Sequence, residues 1–329
     1  MTDTMTYTCP YCRRPSTGEG ASCPNCGAPV DITLRTTAGG WTELPPIADM
    51  ARIQVGHSQV EVSGRSVPAA EWTLAAGEGV YFPHHVLLWQ EPSVELAPMS
   101  MHGEWKRMRA GLPLVMLTAR GPGKIAFSHD TPGEVIALPI EPGASIHVCE
   151  GRLLTASEGV AYGWQDSNVW YSTSGGTDAA DTGAGLSALK VGLQVAGMAG
   201  DRDRRDDRRN ETEWHYPVGR YVDTFTAGEQ PGVVMIGAGG AAFIRDLAEG
   251  ESLLVKPPAL LFKDPTVNFQ LHVEYPKAGM KLWRSWGNRY LWLRLFGPGR
   301  VGVESCYVAE EDPGTDFHDT SGATQQLWR

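Results

Sequence analysis

The sequence predicts an all-β protein: three copies of one β-sandwich-like unit, preceded by a small zinc ribbon. Three observations predict it. The first is an internal repeat that aligns without a gap, Leu74 to Leu88, Ile140 to Leu154 and Leu247 to Leu261, running on to Val94, Val160 and Val267. Each copy reads as an apolar strand, a turn on Gly77, Gly143 or Gly250, an alternating strand, a Gly, Pro or His break, and a second apolar strand. The second is composition: 39 Gly and 23 Pro among 329 residues suit short strands joined by tight turns. The third is the cysteine pattern at the N-terminus, which is too polar and Gly-rich to form a core of its own.

That pattern is Cys9-x-x-Cys12 and Cys23-x-x-Cys26, two knuckles ten residues apart, with Gly27 easing the second turn. Four thiolates in two such turns match the tetrahedral preference of a structural Zn²⁺ site. The site is closed, so one structural zinc ion is expected and no catalysis at it. Metal binding would supply the folding free energy of this module. Cys149 and Cys306 lie in apolar strand patterns and are expected as buried thiols. Reduced cysteines, a polar N-terminal stretch and no uninterrupted apolar run of about 18 residues lead to the expectation of a cytoplasmic protein. The segment Gly183 to Gly200 is broken by Lys190, and Val233 to Ile244 is too short to span.

The body begins with period-two alternation from Ala51 to Val62, read as one half-buried strand. A second recurring element is Leu117 to Phe127 around Gly121-Pro122-Gly123, matched by Leu293 to Val303 around Gly297-Pro298-Gly299. A degenerate third copy is read at Val234 to Phe243. Each is expected to be a β-hairpin corner. No helix signal follows the turns, so none is a phosphate loop.

The residues 31–48 read as a linker, 49–308 as the three-repeat body, and 309–329 as a flexible acidic tail. Gly77 and Gly143 are 66 positions apart, whereas Gly143 and Gly250 are 107 apart. A long insertion, about 165–215, therefore precedes the third copy. It contains a run from Asp201 to Glu211 in which Arg202, Arg204, Arg205, Arg208 and Arg209 face five acids. Such a run is a solvated loop or short exposed helix, or a docking element for a protein surface.

The GPG corners, the stretch Pro132 to Gly143 and the Gly-x-x-Leu/Ile-x-Val repeats resemble the AIM24 family, over roughly residues 50 to 308. That family is related in fold to the tryptophan RNA-binding attenuation protein, and its fungal mitochondrial member is linked to inner-membrane organisation. The resemblance implies a body of three β-sandwich-like units with pseudo-threefold symmetry. The zinc ribbon, the enlarged connection and the tail depart from the family pattern.

A net charge of −10 argues against a general nucleic-acid binder, which needs Lys and Arg to displace counterions. His84, His85, His102 and Glu104 are the candidates for a second metal, but the two adjacent histidines align with Glu150-Gly151 and Pro257-Pro258, which marks a turn. Trp283, Trp286, Tyr290 and Trp292 lie beside Lys281, Arg284 and Arg289 and would either pack between repeats or stack on a ligand. No nucleophile elbow, P-loop or dinucleotide fingerprint is present in the sequence.

The preferred reading is a non-enzymatic adaptor whose β body carries contact surfaces on the ribbon, the charged run, the Trp cluster and the tail with its terminal Trp328. A protein partner is expected, and self-association is compatible with the strand edges. A membrane contact has no support in the sequence. Two rivals remain: a nucleic-acid binder using the ribbon and the Trp/Arg cluster, and a metal- or ligand-binding β-sandwich enzyme near His84 and His102.

Overall fold

The computed structural model describes residues 6–8, 15–17, 37, 39–43, 51–64, 66–99, 116–174, 212–274, 290–307 and 317–320. Their regular secondary structure is strand, apart from short 3₁₀ turns. Three chain segments, each of six strands, follow the same plan. Unit 1 comprises Ala69–Leu74, Gly79–Pro83, Leu87–Gln90, Glu95–Pro98, Met116–Arg120 and Gly123–Ser128. Unit 2 comprises Gly133–Ile140, Ser145–Cys149, Leu153–Ser157, Val160–Asp166, Tyr221–Ala227 and Gly232–Gly239. Unit 3 comprises Ala242–Leu247, Ser252–Val255, Leu260–Lys263, Asn268–Glu274, Tyr290–Phe296 and Gly299–Glu304.

In every unit the sixth strand pairs antiparallel with the first and the third, and the fifth with the second and the fourth. Each unit is thus two three-stranded sheets face to face. The turn between the first two strands uses Gly77, Gly143 and Gly250 at φ of 81°, 73° and 77°, a left-handed conformation that glycine adopts without steric cost. The break before the third strand is a single 3₁₀ turn at His84–Val86 and at Pro257–Ala259.

The units merge through their sheets. The second strand of unit 1 pairs with the third strand of unit 2, Tyr81 opposite Ala156 and Val80 opposite Ser157. The second strand of unit 2 pairs with the third strand of unit 3, His147 opposite Lys263 and Val148 opposite Phe262. The result is one six-stranded and one seven-stranded sheet that cross unit boundaries.

Alternation decides which side chains fill the three cores. In Ser58–Ser63 and Tyr290–Phe296 every second residue is buried, as expected of strands with one face on a core. The first core holds Trp72, Phe82 and Phe127, together with Leu154 and Met235 from unit 2. The second holds Ile136, Val148, Phe225 and Val234, with Tyr81 from unit 1 and Leu261 and Phe262 from unit 3. The third holds Leu260, Leu271, Leu293 and Val301, with Cys149 from unit 2. Each unit therefore lends side chains to its neighbour's core.

Several expectations need correction. Ala51 to Val62 is a hairpin, Ala51–Val55 with Ser58–Ser63, because Gly56 turns at φ 62°. The GPG elements are not hairpins. The strands on either side of Gly121-Pro122 and of Gly297-Pro298 belong to different sheets, so the turn carries the chain across the sandwich. The segment Val234 to Phe243 is no third copy of that corner; it links the last strand of unit 2 to the first of unit 3. The equivalent corner in unit 2 is residues 228–231. The linker contributes Thr42–Glu43 as an edge strand on Ala242–Leu247, with Trp41 packed on the third core. The tail is not wholly flexible: Phe317–Thr320 pairs with Tyr171–Ser174, which also pairs with Thr212–His215. These two latter strands fall inside the segment read as an insertion.

Candidate functional site

The turns before the third strands bring His85, Arg152 and Pro258 from three different units towards one another. Arg152 is held in place by a buried carboxylate, because Glu304 is only 3% exposed. Its guanidinium donates to Glu304 Oε2 at 2.9 Å and Oε1 at 2.5 Å, and to the Pro258 carbonyl at 3.3 Å. The Gly239 N–H donates to the same carboxylate at 2.6 Å. Burial pushes the Glu304 carboxyl above its ordinary range, against the pull of Gly239 and Arg152. The bidentate pair ties unit 2 to the last strand of unit 3.

Beside it lies a cavity of about 190 Å³ lined by His85, Ser128, His129, Asp130, Gly151 and Arg152, among others. The Thr131 N–H donates to His129 Nδ1 at 3.3 Å, which leaves the ring proton on Nε2. That Nε2 is buried and has no hydrogen-bond partner among the described residues. Burial holds the His129 pKa below its ordinary value, with Asp130 opposing. His85 is lowered by burial and by neighbouring His84. The Ser128 hydroxyl is committed to the Pro68 carbonyl at 3.2 Å. The cavity therefore has a neutral imidazole in its wall and room for a small polar molecule, its volume being well below the 300–1,000 Å³ typical of cofactor pockets.

A second polar cluster sits at the junction between units 2 and 3. Lys263 is 5% exposed. Its ammonium donates to the Val267 carbonyl at 2.7 Å, to His147 Nδ1 at 3.1 Å and to the Asp264 carbonyl at 3.5 Å. Burial lowers Lys263 to about 8, and burial plus Lys263 lowers His147 to about 4. All three ammonium protons are used, so the group fastens the junction. Beside it the Cys149 thiol is pushed up to about 12 by burial, which makes it inert near neutral pH.

Of the residues singled out in the sequence, Cys9, Cys12, Cys23 and Cys26 lie outside the described residues. Strands Thr6–Thr8 and Pro15–Thr17, which flank the first knuckle, pair with Thr8 opposite Pro15. Arg202, Arg204, Arg205, Arg208, Arg209, Trp283, Trp286, Trp328, His102 and Glu104 also lie outside. His84 and His85 form the turn that the alignment indicated, with ring centroids 5.7 Å apart. Among the described residues no group of three His, Cys, Asp or Glu is placed to hold a metal. Trp292 is engaged internally: Lys256 sits 4.5 Å over its ring, and its Nε1 donates to Glu274 at 3.0 Å. Cys149 is buried as expected, but Cys306 is exposed, because the last strand of unit 3 ends at Glu304.

Sequence reasoning missed Arg152, Glu304, Lys263 and His147. Their partners lie 152 and 116 positions apart, beyond any local motif. A charge inside an apolar run was the available signal, at Lys263 after Leu260-Leu261-Phe262 and at Glu304 after Val301-Gly302-Val303.

A family model matches unit 1 and the first four strands of unit 2. Residues 60–197 are an AIM24 match. The family is described as "Mitochondrial biogenesis AIM24". The matched region starts in the hairpin ahead of unit 1 and ends within the long connection of unit 2. A crystal structure of a Streptococcus pyogenes protein, 13% identical, has a TM-score of 0.48 and covers 76% of this chain and 94% of its own. No curated protein matches the chain. Among the described residues no helix is long and apolar enough to cross a membrane.

Proposed function

We propose that the protein is a non-enzymatic assembly platform of the cytoplasm. The three-unit β body would carry the contact elements, and those elements are the N-terminal cysteine module, the Asp201 to Glu211 run, the Trp283 and Trp286 segment and the tail ending near Trp328. The observation that carries this reading is the use made of the buried polar groups. Arg152 is spent on Glu304 and Pro258, and Lys263 on His147, Val267 and Asp264, so the most reactive-looking side chains fasten units together.

The cysteine module fits one structural zinc ion. Its donor set is four thiolates in two short turns. The pairing of Thr8 with Pro15 brings together the ends of the six-residue segment that carries Cys9 and Cys12, as a zinc knuckle requires. When bound, the ion would fold the module and present its surface. Cys9, Cys12, Cys23 and Cys26 would hold it as thiolates.

Native mass spectrometry of the protein purified gently from its own cells tests the reading. The expected result is a defined complex with other polypeptides and one zinc per chain, lost from Cys9→Ser. A bare chain that turns over a substrate through the His85 and His129 cavity would overturn it.

A further inference from the structure

We propose that copies of this chain join head to tail, the Leu87–Gln90 edge of one pairing antiparallel with the Ser252–Val255 edge of the next. The plan of the body contains the instruction. In both junctions within the chain, the second strand of one unit pairs with the third strand of the following unit. The register is the same in both: Tyr81 faces Ala156, and His147 faces Lys263. In the gapless repeat, Tyr81, His147 and Leu254 are equivalent positions, as are Gln90, Ala156 and Lys263. Two strands are left over, the third strand of unit 1 and the second strand of unit 3. Both are sheet edges, and among the described residues no strand pairs with either free side.

The side chains agree with the backbone. The second leucine of the third strand enters the core of the preceding unit: Leu154 lies in the first core and Leu261 in the second. They are 1% and 0% exposed. The equivalent Leu88 is 58% exposed, and its neighbour Trp89 is 40% exposed. On the other leftover strand Leu254 is 38% exposed, whereas its equivalent Tyr81 is 2% exposed. An unpaired strand edge carrying large apolar side chains is a template for another strand. The two strands are complementary by the chain's own rule but lie in different sheets and do not pair with each other within the chain, so the occupant that fits is a second copy.

The predicted register puts Gln90 opposite Leu254 and Trp89 opposite Val255. The five-stranded and three-stranded sheets then become one, with rows running Ile125, Gln90, Leu254, Arg294 and Ala126, Trp89, Val255, Leu293. Leu88 would enter the third core of the neighbouring copy. The contact is heterologous, so it builds a ring or a filament and does not stop at a two-fold dimer. This pairing stands independently of the adaptor reading.

Two edge variants of the full chain test it, Trp89→Pro and Leu254→Pro, each removing one strand edge. Mass is read by light scattering after size exclusion, and folding by far-ultraviolet circular dichroism. The unaltered chain is expected to be larger than one copy. Each variant alone is expected to be monomeric, and an equal mixture to form a discrete dimer, since each supplies the edge the other lacks. Trp89→Arg and Leu254→Arg keep the backbone N–H and decide the matter if proline prevents folding. A monomeric unaltered chain, variants that keep the unaltered mass, or folded variants that do not complement each other would overturn the proposal.

Discussion

Leu154 and Leu88 occupy the same place in the repeat and opposite environments. The strand Leu153–Ser157 is buried throughout, and Leu260–Lys263 likewise, but Leu87–Gln90 is exposed at all but its first residue. The three strands start with the same Leu-Leu pair. What differs is the neighbour. A second strand from the preceding unit lies along the first two, and none among the described residues lies along the third. Burial in this fold is therefore a property of the junction, and the same local sequence is core or edge according to what pairs with it.

The largest effect is expected where a junction is fastened by charge. Arg152→Ala would leave the Glu304 carboxylate buried and unpaired, a loss of about 3–5 kcal/mol, read as a lower denaturant midpoint. Glu304→Gln keeps acceptors for Gly239 and should lose less.

Next comes the direct contrast of equivalent leucines. Leu154→Ala should cost about 2–5 kcal/mol through the cavity it opens in the first core. Leu88→Ala should change the stability of the dissociated chain by less than about 0.5 kcal/mol, and lower its self-association instead. Equal costs at the two positions would break the comparison.

The junction of units 2 and 3 gives a smaller effect with a pH signature. Lys263→Met leaves the Val267 carbonyl without its donor and should cost about 1–3 kcal/mol. His147 has a folded pKa of about 4, below its ordinary 6.5. Between those values the unfolded chain binds the proton and the folded chain does not, so stability falls as pH is lowered from 6.5 towards 4. His147→Gln should flatten that part of a stability–pH curve.

The smallest effect lies outside the junctions. Glu78 accepts from the Ser58 hydroxyl and from the His57 N–H at 2.8 Å, and these bonds lower its pKa to about 2. Its contribution is complete above its ordinary 4.5 and is lost as pH falls towards 2. Glu78→Gln should remove only that acid limb.

The repeat, the glycine turns and the break at His84 were legible because each is written in adjacent residues and glycine is required at positive φ. The hairpin at Gly56 was hidden because alternation continues through the turn. The GPG corners read as hairpins because strand–turn–strand looks the same whether the strands pair with each other or with distant ones. Phe317–Thr320 was hidden by its acidic surroundings. At Lys263 and Glu304 a lone charge in an apolar run was the only signal; their pairing with His147 and Arg152 was not legible, since each pair is assembled by contacts between units.

The open edges are the point on which the account turns, and amide hydrogen exchange at Leu253, Leu254 and Val255 over a dilution series tests them most directly. The account predicts that protection there rises with protein concentration, in step with Leu88 to Gln90, while Tyr81 and Ala156 stay protected at every concentration. Protection at both edges that is undiminished on dilution, or exposure that persists at the highest concentration, would contradict it.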